Sequence, residues 1–230
     1  FGQLEGRGYF NDVRHLDHVT VFHSELELHQ EWNYELKNEL RHEMGKFPNL
    51  EAISFHMVTR FRNWSIEAGV VIGLGTPMSD KVMRINVLQN CIWLKNTFPD
   101  LKTMVENNND LGSDAYQIVT DPDFITEIVN ENEIYLLYDH AHALISAYNQ
   151  NVSFMSYFSR LPINKVMQVH FSEPTFLNGV ARDSHNFPTR EQFDFCSTKF
   201  KDCAQYYTIE FYRSLPKLEQ GLRILKEVLN

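Results

Sequence analysis

Six short apolar segments alternate along the chain with segments of helical composition, and each ends at, or just before, a histidine or a carboxylate residue. In the clearest, Ile134–His142, Ile-Tyr-Leu-Leu-Tyr leads into Asp139, and His142 follows three residues later. Such a run predicts a strand buried on both faces, and its alternation with helices predicts parallel βαβ units whose strands end on one face. The other predicted strands are His18–His23, Ala52–His56, Leu101–Val105, Lys165–Val169 and Tyr206–Ile209.

The segments between these strands predict the outer layer of a barrel. We expect an α/β fold, a (β/α)8 TIM-like barrel that is incomplete or irregular at its N-terminal strands and forms a single domain over residues 1–230. Six strands are visible, so the others must come from residues 1–17, from residues 57–79 or from absent sequence. Residues 57–79 are glycine-rich and predict a loop that faces a substrate. The predicted helices are Glu25–Met44, Ser79–Phe98, Asp121–Asn130, Ser153–Arg160, Thr189–Ala204 and Leu215–Leu229.

Composition excludes several classes of protein. The net charge of −9 argues against a nucleic-acid partner, which needs a concentrated basic surface. No apolar run approaches the length that crosses a membrane. The three cysteines are odd in number and form no Cys-x-x-Cys pair, which indicates a reducing, cytoplasmic setting without a disulfide framework. We expect Cys196 and Cys203 to be small apolar core residues.

Common catalytic motifs are missing. Gly73-Leu74-Gly75-Thr76 lacks the third glycine and the strand–turn–helix context of a dinucleotide site. There is no Gly-x-Ser-x-Gly, no P-loop and no helical His-Glu-x-x-His. A serine hydrolase therefore has no support in the sequence.

The strand ends supply a set of metal-ligand types. Asp183 and His185 are two residues apart, so an extended segment would point both the same way. Together with the strand ends they bring five imidazoles and four carboxylates to one rim, where such groups repel one another unless something neutralises them. We expect two or three Zn, Fe or Mn ions, because neutral imidazoles and carboxylates are their usual ligands. The candidate ligands are His23, His56, Glu106, Asp139, His142, His170, Asp183, His185 and Glu210.

Other polar residues receive lesser roles. Glu173 and Arg182 are candidates for support behind the ligands. His140 alternates away from its neighbours and is expected to support the site or to pack in the core. We expect His15, His29 and His42 to lie on the surface.

Residues 106–210 resemble the multinuclear non-haem iron-dependent oxidases, a family that includes enzymes modifying peptidyl cysteines in methanobactin-type natural products. The similarity lies in Val-Glu-Asn-Asn, Leu-Leu-Tyr-Asp-His-Ala-His-Ala, Tyr-Phe-Ser-Arg-Leu-Pro, Val-His-Phe-Ser-Glu-Pro and Arg-Asp-Ser-His. The order of the candidate ligands is also similar to that of endonuclease IV, which has a trinuclear zinc site. The first half of the chain matches only through His23 and His56.

The resemblance implies a xylose-isomerase-like barrel, an iron cluster that uses dioxygen, and a ribosomally made peptide substrate delivered with a partner protein. It implies that Glu106, Asp139, His170, Asp183, His185 and Glu210 bind metal, followed by His23 and His56. At the position of His142 many of the oxidases have Asn, whereas endonuclease IV has His.

Three classes of function stay open from the sequence. The first is the iron oxidase. The second is a Zn- or Mn-dependent phosphoesterase or sugar isomerase, in which the ions polarise a phosphoryl or carbonyl oxygen. The third is a barrel that only binds metal or a partner.

Overall fold

A parallel sheet lies at the centre of the fold in a computed structural model that describes residues 4–7, 13–177 and 179–230. The strand order is β1-β2-β3-β6-β7-β8-β11, and each neighbouring pair is parallel. These strands are β1 (Leu4–Arg7), β2 (Val19–Glu27), β3 (Ala52–His56), β6 (Lys102–Glu106), β7 (Tyr135–Asp139), β8 (Val166–Phe171) and β11 (Tyr206–Ile209).

The sheet forms a nearly closed barrel, with an unsealed seam between β1 and β11. The prediction of a TIM-like α/β barrel with an irregular N-terminal strand is confirmed. Within the described ranges the barrel has seven strands rather than eight, and the seventh, β1, comes from the N-terminal segment that the sequence pattern left unassigned.

Helices alternate with the strands. They are α1 (Tyr34–Met44), α2 (Asp80–Thr97), α3 (Pro122–Glu131), α4 (His140–Asn149), α5 (Phe154–Phe158), α6 (Arg190–Phe200) and α7 (Leu215–Leu229). Ser79, the first residue of the predicted second helix, is the N-cap of α2, and its side chain accepts from the Val82 amide. Helix α4 was not predicted; it starts directly after β7, and Asp139 caps it by accepting from the His142 amide.

The predicted helix from Glu25 was wrong over residues 25–33, nearly half of its length. Strand β2 continues to Glu27, and α1 begins only at Tyr34, after the Asn33 N-cap. The intervening backbone is held by α2, whose Asn90 amide donates to the carbonyls of Leu28 and Gln30. The segment turns directly after β2, with the Gln30 amide donating to the Glu27 carbonyl oxygen, and the two bonds from Asn90 hold this turn in place of a helix.

His29 lies in this intervening segment and is fully buried, so its expected surface position was wrong. Its Nε2 lies 2.5 Å from the Thr59 carbonyl oxygen. Burial of the ring lowers the pKa of His29, although Glu27 beside it acts in the opposite direction.

Two antiparallel hairpins stand at the carboxyl ends of β3 and β8, where loops were expected. They are β4 (Asn63–Glu67) with β5 (Val70–Leu74), and β9 (Glu173–Leu177) with β10 (Val180–Asn186). Ala68 and Gly69 both have positive φ and form the two-residue turn of the first hairpin. Gly73 is required because a Cβ there would lie 2.2 Å from the Phe61 ring.

The core fills both faces of the sheet. Tyr138 packs against the rings of Phe158 and Phe200, with centroid distances of 5.6 and 4.9 Å. Cys196 is fully buried in this core, whereas Cys203 is half-buried at its edge. None of the helices in the described part of the chain is long and apolar enough to cross a bilayer.

Candidate metal centre

Glu106, the last residue of β6, lies at the middle of the candidate site. Its Oε2 lies 2.9 Å from His56 Nδ1 and 3.4 Å from His23 Nε2. Its Oε1 lies 3.5 Å from His142 Nδ1 and 3.6 Å from His170 Nδ1. The two oxygens of one carboxylate therefore face two separate sets of imidazoles.

The first set lies where β2 and β3 meet. His23 and His56 have their Nε2 atoms 2.7 Å apart, and His23 Nδ1 lies 2.7 Å from the Ser54 hydroxyl. His23 is not at the end of its strand, because β2 continues past it and bulges between Ser24 and Glu27. The pairing of Glu27 with His56 across that bulge brings the end of β3 level with the site.

A second group of candidate ligands, which contains carboxylates as well as an imidazole, lies at the ends of β7, β8 and β11. His170 Nδ1 lies 3.5 Å from Glu210 Oε1 and 4.0 Å from Asp139 Oδ2. These three side chains are fully buried or nearly so. Asp139 is held in place by Asn107, whose amide oxygen accepts from the Asp139 amide nitrogen at 2.9 Å.

A third group of candidate ligands includes residues of the second hairpin. Asp183 Oδ2 lies 3.0 Å from His185 Nε2 and 3.5 Å from His142 Nε2, and His185 Nε2 lies 3.6 Å from Glu210 Oε2. His142 Nδ1 lies 3.0 Å from the Asn107 carbonyl oxygen, which leaves Nε2 to face Asp183.

The hairpin reaches the site through an irregular backbone. The register of β10 shifts between Arg182 and Asn186, and His185 has a φ of +42°. A left-handed conformation is uncommon for a residue with a side chain and is often found at functional sites. Simple strand alternation was therefore the wrong reason to place Asp183 and His185 together, although the structure does bring them together.

Exposure rises across the site from β7 and β8 toward the hairpin. Asp139 and His170 are fully buried, whereas the side chains of His56 and His185 are 22% and 41% exposed. The candidate site thus has a closed floor and an open side.

Crowding of charges perturbs the titration of these groups. Burial, with Glu210, Glu106 and Asp183 nearby, raises the pKa of Asp139 to about 7 despite the opposing effect of His142. Burial opposes protonation of His170 and His142, yet the surrounding carboxylates raise the pKa of each well above its usual value. Burial and the neighbouring His56 lower the pKa of His23 to about 3. With its imidazoles neutral, this cluster carries an excess of negative charge from its carboxylates, which bound cations would neutralise.

Several nitrogen and oxygen atoms of the cluster that could bind a metal ion have no hydrogen-bond partner among the described residues. Among the described residues, no well-aligned partner exists for four buried atoms: His56 Nδ1, Glu106 Oε2, Asp139 Oδ2 and His170 Nδ1. Such orphaned atoms are costly unless an ion binds them. Three groups are close enough to hold an ion: His23, His56 and Glu106; Glu106, Asp139 and His170; and Glu5, His170 and Glu210. The donor set therefore fits divalent metal ions of the Zn, Fe or Mn type.

The other candidates lie outside this cluster. Glu173 begins β9 and shares a hydrogen bond with Gln192, while burial raises its pKa. Arg182 is exposed, and its Nη1 donates to the Ala68 carbonyl oxygen at 2.9 Å. His140 packs against Phe154 with its Nδ1 3.0 Å from the Tyr138 hydroxyl, and burial lowers the pKa of His140 to about 4. It is a core residue, as one of its two expected roles had it.

Glu5 of β1 joins the site without having been predicted. Its Oε2 lies 3.0 Å from His170 Nε2. Strand β1 has only four residues, Leu-Glu-Gly-Arg, and therefore shows no apolar run in the sequence. Its only signal was a carboxylate beside glycines near the N-terminus.

Solved structures with a similar fold support the barrel. SacUVDE aligns with a TM-score of 0.53 at 15% identity, covering 90% of this chain and 65% of that protein. AsfvAP:AG aligns with a TM-score of 0.51 at 12% identity, covering 91% of this chain and 74% of that protein. Likeness at this level of identity shows the fold alone. No curated protein sequence matched the chain.

A sequence family gives the more specific relationship. The model of the RiPP precursor modification enzymes MbnB/TglH/ChrH matches residues 51–228. This span contains eight of the nine candidate ligands, all except His23. It confirms the expected family resemblance. The chain belongs to the MbnB/TglH/ChrH family of RiPP precursor modification enzymes.

Proposed function

We propose that this enzyme is a multinuclear non-haem iron oxidase that uses dioxygen to modify a ribosomally made peptide, for example at cysteine. The observation that carries the proposal is the position of Glu106. Its two oxygens face different sets of imidazoles, and it belongs to two of the groups that could each hold an ion, so Glu106 would help to hold more than one ion. We propose that the nine candidate residues hold two or three ions.

The buried residues would hold the ions in a dry environment. Glu106, Asp139 and His170 are buried at the ends of three adjacent strands, so their donor atoms are fixed by the barrel rather than by mobile loops. Asn107 adds orientation, since it accepts from the Asp139 amide and its carbonyl oxygen faces His142 Nδ1. Fixed ligands in a dry pocket are the protein's contribution to metal chemistry.

The exposed side of the site would admit the substrate. His185 and His56 are the most accessible of the candidate ligands, so a peptide side chain such as a thiolate could approach the site from this side. When bound, iron would supply the electrons that dioxygen needs and the Lewis acidity that binds the thiolate.

The two hairpins would guide a peptide to that opening. Each rises beside a candidate ligand, and each carries exposed apolar side chains, Trp64 and Ile66 on one and Phe176 and Leu177 on the other. Exposed apolar groups and unpaired strand edges are common features of surfaces that bind extended peptides. We propose that residues 1–230 act as one barrel domain in the cytoplasm and that a partner protein helps to deliver the peptide.

The test is metal analysis of protein purified without oxygen, followed by reaction with a cysteine-containing precursor peptide encoded beside it. We expect iron at two or more ions per chain, a charge-transfer absorption band, and a change in peptide mass that requires dioxygen. Iron-loaded protein that leaves such a peptide unchanged in the presence of dioxygen would contradict the proposal.

A zinc- or manganese-dependent phosphoesterase is the second candidate. His142 favours this candidate, because endonuclease IV, which the order of the candidate ligands resembles, also has a histidine at this position. The net charge of −9 offers little attraction to DNA. Zinc alone in the purified protein, together with nicking of abasic DNA, would establish this candidate and overturn the oxidase.

A further inference from the structure

Glu5 makes a dense set of polar contacts through one oxygen atom. Its Oε2 lies 2.5 Å from Gln168 Nε2, 2.9 Å from Thr208 Oγ1 and 3.0 Å from His170 Nε2. The three partners come from β8 and β11, on the far side of the barrel seam from β1. A single strand residue therefore connects the first strand of the barrel with its last two.

These contacts make Oε2 an acceptor of hydrogen bonds rather than a ligand of an ion. Gln168 Nε2 carries two protons. It donates one to Glu5 Oε2 and the other to Thr208 Oγ1, which lies 3.0 Å away. The Thr208 hydroxyl proton then points to Glu5. With His170 as the third donor, this oxygen has no lone pair left for the ion that the group of Glu5, His170 and Glu210 could otherwise hold through it.

For the neutral His170 ring, the form that can bind a metal ion, the network also decides which nitrogen carries the proton. On Nε2 the proton has an acceptor, Glu5, at 3.0 Å. On Nδ1 it would have no well-aligned acceptor among the described residues. Gln168 Nε2 also lies 3.0 Å from His170 Nε2, but both of its protons are already matched. The favoured tautomer therefore leaves the Nδ1 lone pair directed toward Glu106, Asp139 and Glu210.

We infer that Glu5 is the positioning residue for His170: it fixes the ring as the Nε2–H tautomer, and through Gln168 and Thr208 it links that ring to the closure of the barrel seam. The inference rests on the metal centre of the proposed function, and it does not depend on which metal binds or which peptide reacts. A carboxylate behind a metal-binding imidazole typically changes metal affinity by about 10–100-fold. Here the same carboxylate would make correct docking of the N-terminal strand a condition for metal binding.

The test compares Glu5→Gln with the matched control Glu51→Gln. Glu51 also accepts from a side chain of β11, since the Tyr206 hydroxyl lies 2.6 Å from its Oε2, but Glu51 precedes β3 and lies at the opposite end of the strands. Affinity for Zn²⁺ alone is measured by competition with a chelator. We expect Glu5→Gln to weaken the binding of Zn²⁺ at the position that His170 serves by about 10–100-fold. We expect Glu51→Gln to leave the Zn²⁺ affinity unchanged.

The tautomer of His170 is the second readout, because a merely structural role of Glu5 would not alter it. Long-range ¹⁵N–¹H NMR of the zinc-loaded protein should show Nε2–H for His170 in the wild type and in Glu51→Gln. In Glu5→Gln we expect a mixed or altered pattern. The variant Thr208→Val keeps the carboxylate, removes one of its donors and should weaken zinc binding by a smaller factor.

Two results would overturn the inference. One is full zinc affinity in folded Glu5→Gln with an unchanged His170 tautomer. The other is an Nδ1–H tautomer in the wild type, which can be measured even if Glu5→Gln does not fold. Failure of the protein to modify any peptide would leave these zinc measurements intact, so the two proposals can fail separately.

Discussion

Asp183 and His142 approach each other from different parts of the barrel, with Asp183 Oδ2 3.5 Å from His142 Nε2. His142 lies in the first turn of α4, and Asp183 lies on the irregular part of the β9–β10 hairpin. The pair therefore ties the hairpin to the floor of the candidate site, at the position where the two candidate functions differ in residue type.

Replacing His142 with Asn should change which metal the protein prefers. An amide oxygen is a harder donor than an imidazole nitrogen, so we expect weaker zinc binding relative to iron and manganese. Competition titrations with Zn²⁺, Fe²⁺ and Mn²⁺ on His142→Asn and the wild type would measure this ratio. An unchanged ratio would show that His142 is not a ligand.

Replacing Glu106 with Gln should reduce the number of bound ions, because its two oxygens face two sets of imidazoles. We expect the loss of at least one ion per chain, measured by elemental analysis of the folded protein. Glu173→Gln is the matched control, since Glu173 is half-buried and shares a hydrogen bond with Gln192. If both variants keep the full metal content, Glu106 does not bridge ions.

Removing the Arg182 side chain should loosen the contact between the two hairpins. Its Nη1 donates to the Ala68 carbonyl oxygen in the turn of the β4–β5 hairpin. Loss of one such bond, about 1 kcal/mol, should raise hydrogen exchange in residues 63–74 by about fivefold in Arg182→Ala. Metal content should stay the same. Arg62→Ala, which removes an exposed ion pair with Glu31 at the start of the same hairpin, should have a smaller effect.

Acid should destabilise the protein through His29. Because burial lowers the pKa of His29 in the folded state, the unfolded chain takes up this proton more readily. The contribution of the neutral His29 ring to the free energy of unfolding is therefore fully present above about pH 6.5. At lower pH this contribution decreases, by at most about 1.4 kcal/mol per pH unit. In His29→Gln the amide can still donate to Thr59, and this part of the pH dependence should disappear from urea unfolding curves. An identical slope between pH 5 and 6.5 in both proteins would contradict the assignment.

The strands that hold most of the candidate ligands were predictable for one physical reason. A strand of a parallel barrel is buried on both faces, so Ala52–His56 and Tyr135–Asp139 read as apolar runs that stop at a polar residue. Helix α4 was missed because it follows β7 without a glycine, a proline or a change in hydrophobicity. The cap that separates the two elements is Asp139 itself, which the sequence pattern had identified only as a ligand.

Each hairpin has a dipeptide in its sequence that indicates a tight turn. Asn178-Gly179 is the strongest short signal for a two-residue hairpin turn, and it lies between Phe176-Leu177 and Val180-Ala181 in the sequence. Ala68-Gly69 is a weaker signal, because alanine rarely adopts the positive φ that it has there. Glu5 could not have been assigned from the sequence, since its partners Gln168 and Thr208 are remote along the chain and only the closed barrel brings them together.

The position of Glu5 has a consequence for the protein during its synthesis. Strand β1 leaves the ribosome first, yet Gln168, His170 and Thr208 are made much later. A nascent chain would therefore carry an incomplete cluster until β11 has emerged, and a metal ion present early would meet only some of its ligands. Correct metal loading would therefore follow the synthesis of β11, because only then can Glu5, His170 and Thr208 come together.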